Sequence, residues 1–273
     1  MDTLEVPGAH LSYRMTGSGP VLLLIPGGPA DAGGFDRLAR LLDGDHTVVT
    51  YDPRGISRSS RADSDDDVRV ATQADDAHRL LAAVGAGPAD VLGNSGGAIT
   101  ALELVAMHPT QVRTLVAHEP PVSELLPDGA EHRAKMDEVH QTYLDAGAGA
   151  AMAKFMSMAG LEGGPAPDTG PPNPEMLAAM ARMKANMELF FAHMLRPIVA
   201  YRPDATALRA ATTRIVPGVG TTTTGQIAHR STLALAELLG APVADFPGGH
   251  GGFAEQPEEF AAKLRTVLAE SSV

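Results

Sequence analysis

One segment of the sequence has the residue types and spacing needed for attack by a serine hydroxyl. Gly93-Asn94-Ser95-Gly96-Gly97 matches the pattern G-x-S-x-G, in which small neighbours let the chain bend sharply and expose the hydroxyl. Residues 89–92 have the composition of a short strand, and an apolar helical pattern follows to about Met107. Because the motif lies between a predicted strand and a predicted helix, it predicts a nucleophile at Ser95.

A serine nucleophile needs a general base, and one histidine has a suitable setting. His250 lies in the segment Pro247-Gly248-Gly249-His250-Gly251-Gly252-Phe253, between the last predicted strand and the closing helix. Its flanking glycines favour a loop that carries one projecting ring, and its place near the end of the chain fits the order in which this motif's partners occur. The sequence therefore predicts that His250 takes the Ser95 proton. Five other histidines fall on predicted surface elements or loops: His10, His46, His78, His108 and His229.

The elements that position these residues follow a strand–helix alternation. Such an alternation predicts a mostly parallel sheet covered by helices, and the continuous apolar run Val21–Ile25 is typical of a strand buried on both faces. The predicted strands cover residues 4–6, 11–15, 21–25, 47–51, 89–92, 112–117, 213–217 and 243–246. The predicted helices of this pattern cover residues 35–42, 72–84, 96–107, 226–239 and 257–269.

The alternation stops after Pro121 and resumes near residue 213. Residues 122–205 have a helical composition, interrupted by a Gly- and Pro-rich stretch at 160–174. We interpret this block as a helical lid, which divides the chain into a core at 1–121, a lid at 122–205 and a second core part at 206–273. The block holds nine of the 12 methionines, which either fill a helical core or form a flexible apolar wall for a substrate. Further candidates for that wall are Phe155, Phe190, Phe191, His140 and His193.

With these motifs in this order, the chain resembles the α/β-hydrolase family over nearly its whole length. The resemblance implies the α/β-hydrolase fold: a mostly parallel eight-stranded sheet flanked by helices, with a helical lid inserted after strand 6. It also implies an oxyanion hole formed by the N–H groups of Gly96 and Gly28. The loop Pro26-Gly27-Gly28-Pro29 is similar to the family's His-Gly-x-Pro motif, with Pro26 in place of His. That difference removes a loop-bracing side chain but no backbone donor. Arg54 is interpreted as structural.

The acid that orients the base departs from the family's common pattern. The family usually places Asp or Glu in the loop after the penultimate strand, but residues 218–225 contain no carboxylate. Glu119 follows the strand next after that of Ser95, so a carboxylate there can lie at the same sheet edge. Its position and the His118-Glu119-x-Pro context are similar to fungal zearalenone lactonases. Asp245, on the last strand, is the rival acid, and Asp204 is a weaker one.

Composition excludes several classes of function. The chain has 21 Lys and Arg against 33 Asp and Glu, a formal net charge of −12, which disfavours nucleic acid and anionic membrane surfaces as partners. It contains no Cys, so no disulfide or thiolate is available, and no cofactor or metal is predicted. No signal-peptide core or membrane-spanning stretch is recognised, which predicts a cytoplasmic protein. The expected partner is a small-molecule substrate, and a homodimer is left open.

These observations predict a serine hydrolase that cleaves a carboxylic ester or lactone of a small, largely apolar substrate through an acyl-enzyme. Ser95, His250 and Glu119 would be catalytic. Other chemistry on the same fold stays open: a C–C bond hydrolase, a perhydrolase, or a proline-type aminopeptidase that binds a free amine through acidic lid residues. A non-catalytic binding protein of the same fold is a further alternative. Haloalkane dehalogenase and epoxide hydrolase are disfavoured because both use Asp at the position of Ser95. The acidic lid residues are Glu131, Asp137, Glu138, Asp145, Glu162 and Glu188.

Overall fold

The computed structural model describes residues 1–62, 66–85, 87–159 and 173–270. These residues form an eight-stranded sheet with the strand order β1-β2-β4-β3-β5-β6-β7-β8. The first two strands are antiparallel and form one edge, and the other six are parallel. The strands are β1 (Asp2–Val6), β2 (Ala9–Gly17), β3 (Val21–Ile25), β4 (Thr47–Tyr51), β5 (Ala89–Asn94), β6 (Val112–His118), β7 (Arg214–Gly220) and β8 (Ala244–Phe246). The predicted eight-stranded, mostly parallel sheet is confirmed.

Helices cover both faces of the sheet. They are α1 (Asp36–Leu42), α2 (Val70–Ala83), α3 (Gly96–Met107), α4 (Gly129–Ala159), α5 (Pro174–Leu189), α6 (Leu195–Val199), α7 (Ala205–Ala210), α8 (Ile227–Leu239), α9 (Gly252–Glu255) and α10 (Pro257–Ala269). Short 3-10 turns occur at Ala32–Phe35 and Ser123–Leu125, and one π-helical turn occurs at Phe190–Met194.

The hydrophobic core is divided into two layers by the period-two alternation of the strands. In β3, Leu22 and Leu24 pack with α1 and α10 on one face. Leu23 and Ile25 pack with α2 and α3 on the other. All four side chains are buried, which explains why β3 reads as one continuous apolar run. The sheet is therefore held from both sides, and its carboxyl edge is a rigid support for the loops that follow β3, β5, β6 and β8.

Helices α4 to α7 all lie between β6 and β7 in the chain. Helix α4 is broken at Gly147, whose backbone leaves the helical region. The predicted loop at 160–174 lies outside the described residues except for its last two, where Asn173 caps the start of α5. The division of the chain at 121 and 205 stays a prediction.

Several strands are longer than predicted. Strand β7 extends to Gly220 because Gly218 and Gly220 pair with β8, and β5 extends to Asn94, opposite His118 of β6. Glycine is a weak strand former, so these extensions depend on pairing with neighbouring strands. Within the described residues, no helix has both the length and the apolar character needed to cross a membrane.

Candidate active site

Ser95 is placed on a strained turn between β5 and α3. Its backbone angles are φ 56° and ψ −124°, a conformation that costs about 1–3 kcal/mol for a residue with a side chain. The turn is tight because α3 begins at once and packs against the end of β3. A Cβ atom at Gly97 would lie 2.2 Å from the carbonyl oxygen of Ile25, so a larger residue cannot be accommodated there. This packing leaves the Ser95 side chain partly exposed at the sheet edge.

The loop after β3 lies directly beside this turn. A Cβ atom at Gly27 would be 2.8 Å from both Ser95 Cβ and Gly96 N. A Cβ atom at Gly96 would lie 3.5 Å from Gly28 N. Gly96 is the first residue of α3, and the first N–H groups of a helix have no partner within it. The structure thus brings the two predicted oxyanion donors, Gly28 and Gly96, next to Ser95.

His250 and Glu119 form a short hydrogen bond. The loop after β8 brings His250 Nδ1 to 2.6 Å from Glu119 Oε2. Glu119 is fully buried and follows β6, which lies between the strand of Ser95 and β7. Its backbone is also strained, with φ 50°, and its N–H donates to the carbonyl oxygen of Gly218. A hydrogen bond to Nδ1 leaves Nε2 of the ring available to accept a proton.

The loop without a carboxylate supplies hydrogen-bond donors instead. The Gly220 N–H donates to Glu119 Oε1 at 2.9 Å, and the Thr223 hydroxyl donates to the same oxygen. Burial by itself would raise the pKa of Glu119. The hydrogen bonds from His250, Thr223 and Gly220 outweigh burial and lower that pKa to about 2. Glu119 is therefore ionised at neutral pH, and one of its oxygens is held by the segment in which relatives of this fold usually carry the acid itself.

The rival acids lie elsewhere. Asp245 is exposed on β8, and Asp204 accepts the Ala207 N–H as the N-cap of α7. Arg54, interpreted as structural, pairs with the buried Asp76 through two hydrogen bonds of 2.6 and 2.9 Å. Among the described residues, no group of three or more His, Asp or Glu is arranged to hold a metal ion.

Ser95 and His250 line the same cavity, which has a volume of about 60 Å³. In the described part of the chain the two side chains do not form a hydrogen bond with each other. Such pairs are often long or poorly aligned before substrate binds. The rest of the wall comes mainly from α4, the π-helical turn, α6 and the start of α8, and consists of Pro121, His132, Met136, Phe155, Phe190, Leu195, Val199, Gln226, Ile227 and Ala228.

The wall differs in part from the sequence prediction. Phe155, Phe190 and one methionine of the inserted helices, Met136, line the cavity, whereas Met180 and Met183 are exposed. Phe191 is buried in the core instead. His140 and His193 do not line the described cavity. His140 Nδ1 donates to the Phe191 carbonyl oxygen, and His193 Nδ1 lies 3.6 Å from Asp67 Oδ1.

Two polar wall residues, His132 and Gln226, were missed by the sequence interpretation. A signal for His132 was present, because it precedes Met136 by one helical turn and so shares its face of α4. In the described residues none of the cavity wall is a carboxylate. Of the acidic residues considered for amine binding, Glu162 lies outside the described residues.

A fully buried histidine, His118, contacts the residue before Ser95. His118 Nδ1 donates to Asn94 Oδ1 at 2.7 Å, and its ring packs edge-on against Phe246 and Phe260. Burial lowers the pKa of His118 to about 4; the Glu119 charge raises it and the His250 charge lowers it further. The ring is therefore neutral near pH 7 and ties the residue before Ser95 to β6.

The lowered pKa of His118 predicts that the folded protein becomes less stable as the pH falls. Below pH 6.5, the ordinary histidine value, His118 binds a proton in the unfolded chain, but in the folded chain it does so only below about pH 4. Stability therefore falls as pH falls through this interval, and one pKa unit corresponds to 1.36 kcal/mol. We expect His118 to account for a loss of about 2–3 kcal/mol in the free energy of unfolding between pH 7 and 4.5.

Urea unfolding of the wild type and His118→Phe at these two pH values measures that contribution. Phe keeps the packing against Phe246 and Phe260, and titrating groups that do not interact with His118 contribute equally to both proteins. The variant should be less stable at pH 7, by about 1–3 kcal/mol, because the buried Asn94 amide loses its partner. Its stability should nevertheless fall less steeply on acidification. Equal pH dependence in the two proteins would contradict the assignment.

Comparison with known proteins gives consistent matches. A family model described as "alpha/beta hydrolase fold" matches residues 20–159. The uncharacterized hydrolase YraK of Bacillus subtilis is 36% identical over 270 residues, which are 97% of this chain and 95% of that protein. A zearalenone hydrolase of Cladophialophora bantiana is 34% identical over 123 residues, 44% of this chain and 46% of that protein.

Solved structures agree at the level of the fold. A thermophilic esterase from Thermogutta terrifontis superposes with a TM-score of 0.73 at 20% identity, covering 97% of this chain and 96% of that one. At this identity the likeness supports the architecture, and the chemistry has to be argued from the site.

Proposed function

The chain belongs to the α/β-hydrolase family and is a hydrolase, and from this premise we propose that it cleaves a carboxylic ester or lactone of a small, largely apolar substrate through an acyl-enzyme. The observation that carries the proposal is the hydrogen bond between His250 and the buried, ionised Glu119, made by a ring that lines the same cavity as Ser95. A nucleophile beside a base that is oriented by a third group is the arrangement required for acyl transfer.

In the proposed reaction, His250 Nε2 takes the proton of the Ser95 hydroxyl as Oγ forms a bond to the substrate carbonyl carbon. The carbonyl π electrons move to the oxygen, which the N–H groups of Gly28 and Gly96 stabilise. Glu119 stabilises the imidazolium that results. When the tetrahedral intermediate collapses, the C–O bond to the alcohol breaks and His250 gives its proton to the leaving oxygen. Water then attacks the acyl-enzyme by the same route and releases the acid and Ser95.

The cavity favours a short acyl group. Its volume of about 60 Å³ is small, which favours an acetyl to butyryl chain over a longer one. Its apolar wall favours methylene groups over charges. An aminopeptidase reaction is less well supported, because the described wall has no carboxylate to bind a free amine.

A small lactone is the second substrate class, favoured by two observations. The acid of the proposed triad follows β6 in a context that resembles that of zearalenone lactonases, and part of the chain is similar to zearalenone hydrolases. The attack on the carbonyl is the same for a lactone, and the alcohol stays attached to the acyl group when the ring opens.

Turnover of p-nitrophenyl esters tests the proposal. We expect the acetate and butyrate esters to be hydrolysed with a kcat/KM at least about 10-fold above that of the decanoate ester, because methylenes that do not fit the cavity forfeit about 0.8 kcal/mol each. Met136→Ala, which shortens one wall residue, should move the optimum to longer chains, such as the hexanoate ester. Met15→Ala, an exposed methionine of β2, is the matched control and should keep the wild-type ranking. A wild-type enzyme with no preference for short chains would contradict this cavity as the acyl site.

A further inference from the structure

Asn186 of α5 is a buried amide that contacts the loop carrying the Gly28 N–H. It is 1% exposed, and its Nδ2 donates to the carbonyl oxygen of Pro29 at 3.0 Å. The same nitrogen donates to Ser57 Oγ at 3.0 Å, and its Oδ1 accepts the Ser57 N–H at 2.8 Å. The side chain thus makes three hydrogen bonds, and all of them leave its own helix.

The loop is held at two further points close to Pro29. Asp31 Oδ2 accepts from the Ser57 hydroxyl at 2.7 Å. The buried Asp52 accepts the Ala32 N–H at 3.0 Å through Oδ1. Both of these contacts come from the loop after β4, which belongs to the core of the fold. The Asn186 contact differs because it comes from a helix of the insertion between β6 and β7.

Such bracing is needed because of the composition of the loop. Gly27 and Gly28 have no side chains that could fix the backbone, and the residue before them is Pro26, where the family's motif has a histidine. Ser57, the second residue that Asn186 contacts, is itself strained, since it has φ 49°. A strained conformation persists only where surrounding contacts over-determine it. Asn186 bonds to both the N–H and the hydroxyl of Ser57, so it holds this residue while it holds Pro29.

We propose that Asn186 is a positioning residue for the oxyanion hole: through the Pro29 carbonyl it fixes the direction of the Gly28 N–H, and it makes that direction depend on where α5 sits. The inference rests on the proposed acyl transfer at Ser95. Asn186 does not line the cavity described around Ser95, so it acts through the loop and not on the substrate. An oxyanion donor is effective only when it points at the place where charge develops, and misplacement by about 1 Å can lower a rate about 100-fold.

The test compares Asn186→Ala and Asn186→Asp with the wild-type enzyme on p-nitrophenyl acetate. Asp keeps the shape of Asn and the acceptor for the Ser57 N–H, but when ionised it has no donor for the Pro29 oxygen, so it covers the case in which Ala fails to fold. We expect kcat to fall about 10- to 100-fold, with KM changed less than about 3-fold. The inhibition constant of a trifluoromethyl ketone, whose serine adduct places an oxyanion in the hole, should rise by the same factor as kcat falls.

Thr213→Val is the matched control for stability. The Thr213 hydroxyl is also buried and donates to the Val112 carbonyl oxygen at 2.7 Å, but it lies just before β7, at the opposite edge of the sheet from Ser95. We expect it to lower the melting temperature without changing kcat or the inhibition constant more than about 2-fold.

If the Asn186 variants keep a kcat within about 2-fold of the wild type, or lose kcat with no change in the inhibition constant, the positioning role is wrong. A wild-type protein that neither hydrolyses the ester nor binds the ketone overturns the proposed function itself, so the two failures are distinguishable.

Discussion

Ser95→Ala should lower kcat for p-nitrophenyl acetate by about 10⁴- to 10⁶-fold, because it removes the protein oxygen that bonds to the acyl carbon in the proposed mechanism. The oxyanion donors and the cavity remain, so a small residual rate above that in water should persist. Folding should change little: the hydroxyl makes no hydrogen bond to His250 in the described structure, and Ala at this position has the same backbone strain as Ser. A fluorophosphonate probe, which releases fluoride as it bonds to Oγ, should label the wild type on the peptide containing Ser95 and leave the variant unlabelled.

Ser12→Ala provides the control for this experiment. Ser12 is also buried but lies in the antiparallel strand β2, which β4 and β3 separate from the strand of Ser95. Its variant should keep full activity and full labelling. Substantial turnover by Ser95→Ala would exclude the acyl-enzyme mechanism. A wild-type protein that ignores the probe yet binds a small apolar ligand tightly would favour the non-catalytic binding protein.

Glu119→Gln should lower kcat by about 10³- to 10⁴-fold, through the tautomer of His250. The Gly220 N–H and the Thr223 hydroxyl both donate to one oxygen of the acid, so the Gln carbonyl oxygen must occupy that place. Its NH₂ group then faces His250 Nδ1, which can only accept. The ring proton moves to Nε2, and the ring can no longer take the proton of Ser95. The rate should therefore fall although the size of the side chain is unchanged.

Asp245→Asn is the matched variant, since it makes the same change of carboxylate to amide five residues before His250. Because Asp245 is exposed and His250 bonds to Glu119 instead, we expect its kcat to stay within about 2-fold of the wild type, as is usual for exposed sites without such contacts. Rates of both variants with p-nitrophenyl acetate between pH 6 and 9 provide the measurement. If Asp245→Asn were the more damaged enzyme, the acid would have to be reassigned.

The architecture was predictable from local patterns. Buried parallel strands require apolar residues on both faces, and β3 carries such a run. Helix α10 begins and ends where its periodicity and Pro257 predict. Where a strand is longer than predicted, pairing with a neighbouring strand explains its length. Strand β7 continues through Gly218 and Gly220 because both residues pair with β8. No local property of those glycines indicates a strand.

The proposed site divides in the same way. Ser95 and His250 lie in turns that require small neighbouring residues, so the adjacent glycines indicate both positions in the sequence. Glu119 and Asp245 were both compatible with the sequence. The order of the strands separated them, because β6 lies between β5 and β7 and brings Glu119 within hydrogen-bond distance of His250 Nδ1. His132 and Asn186 have no such local mark.

By itself, then, the sequence determined the alternation of elements, the sharp turn at Ser95, the glycine-flanked His250 and the absence of an acid after β7. Tertiary structure decided which carboxylate meets the imidazole, which side chains of the inserted helices line the cavity, and what braces the loop of Gly28. The physical reason is the distance along the chain between the residues that interact. Turns and periodicities arise from neighbours along the chain, whereas the Glu119–His250 and Asn186–Pro29 hydrogen bonds join residues 131 and 157 positions apart, and only packing of the whole sheet and its helices brings them together.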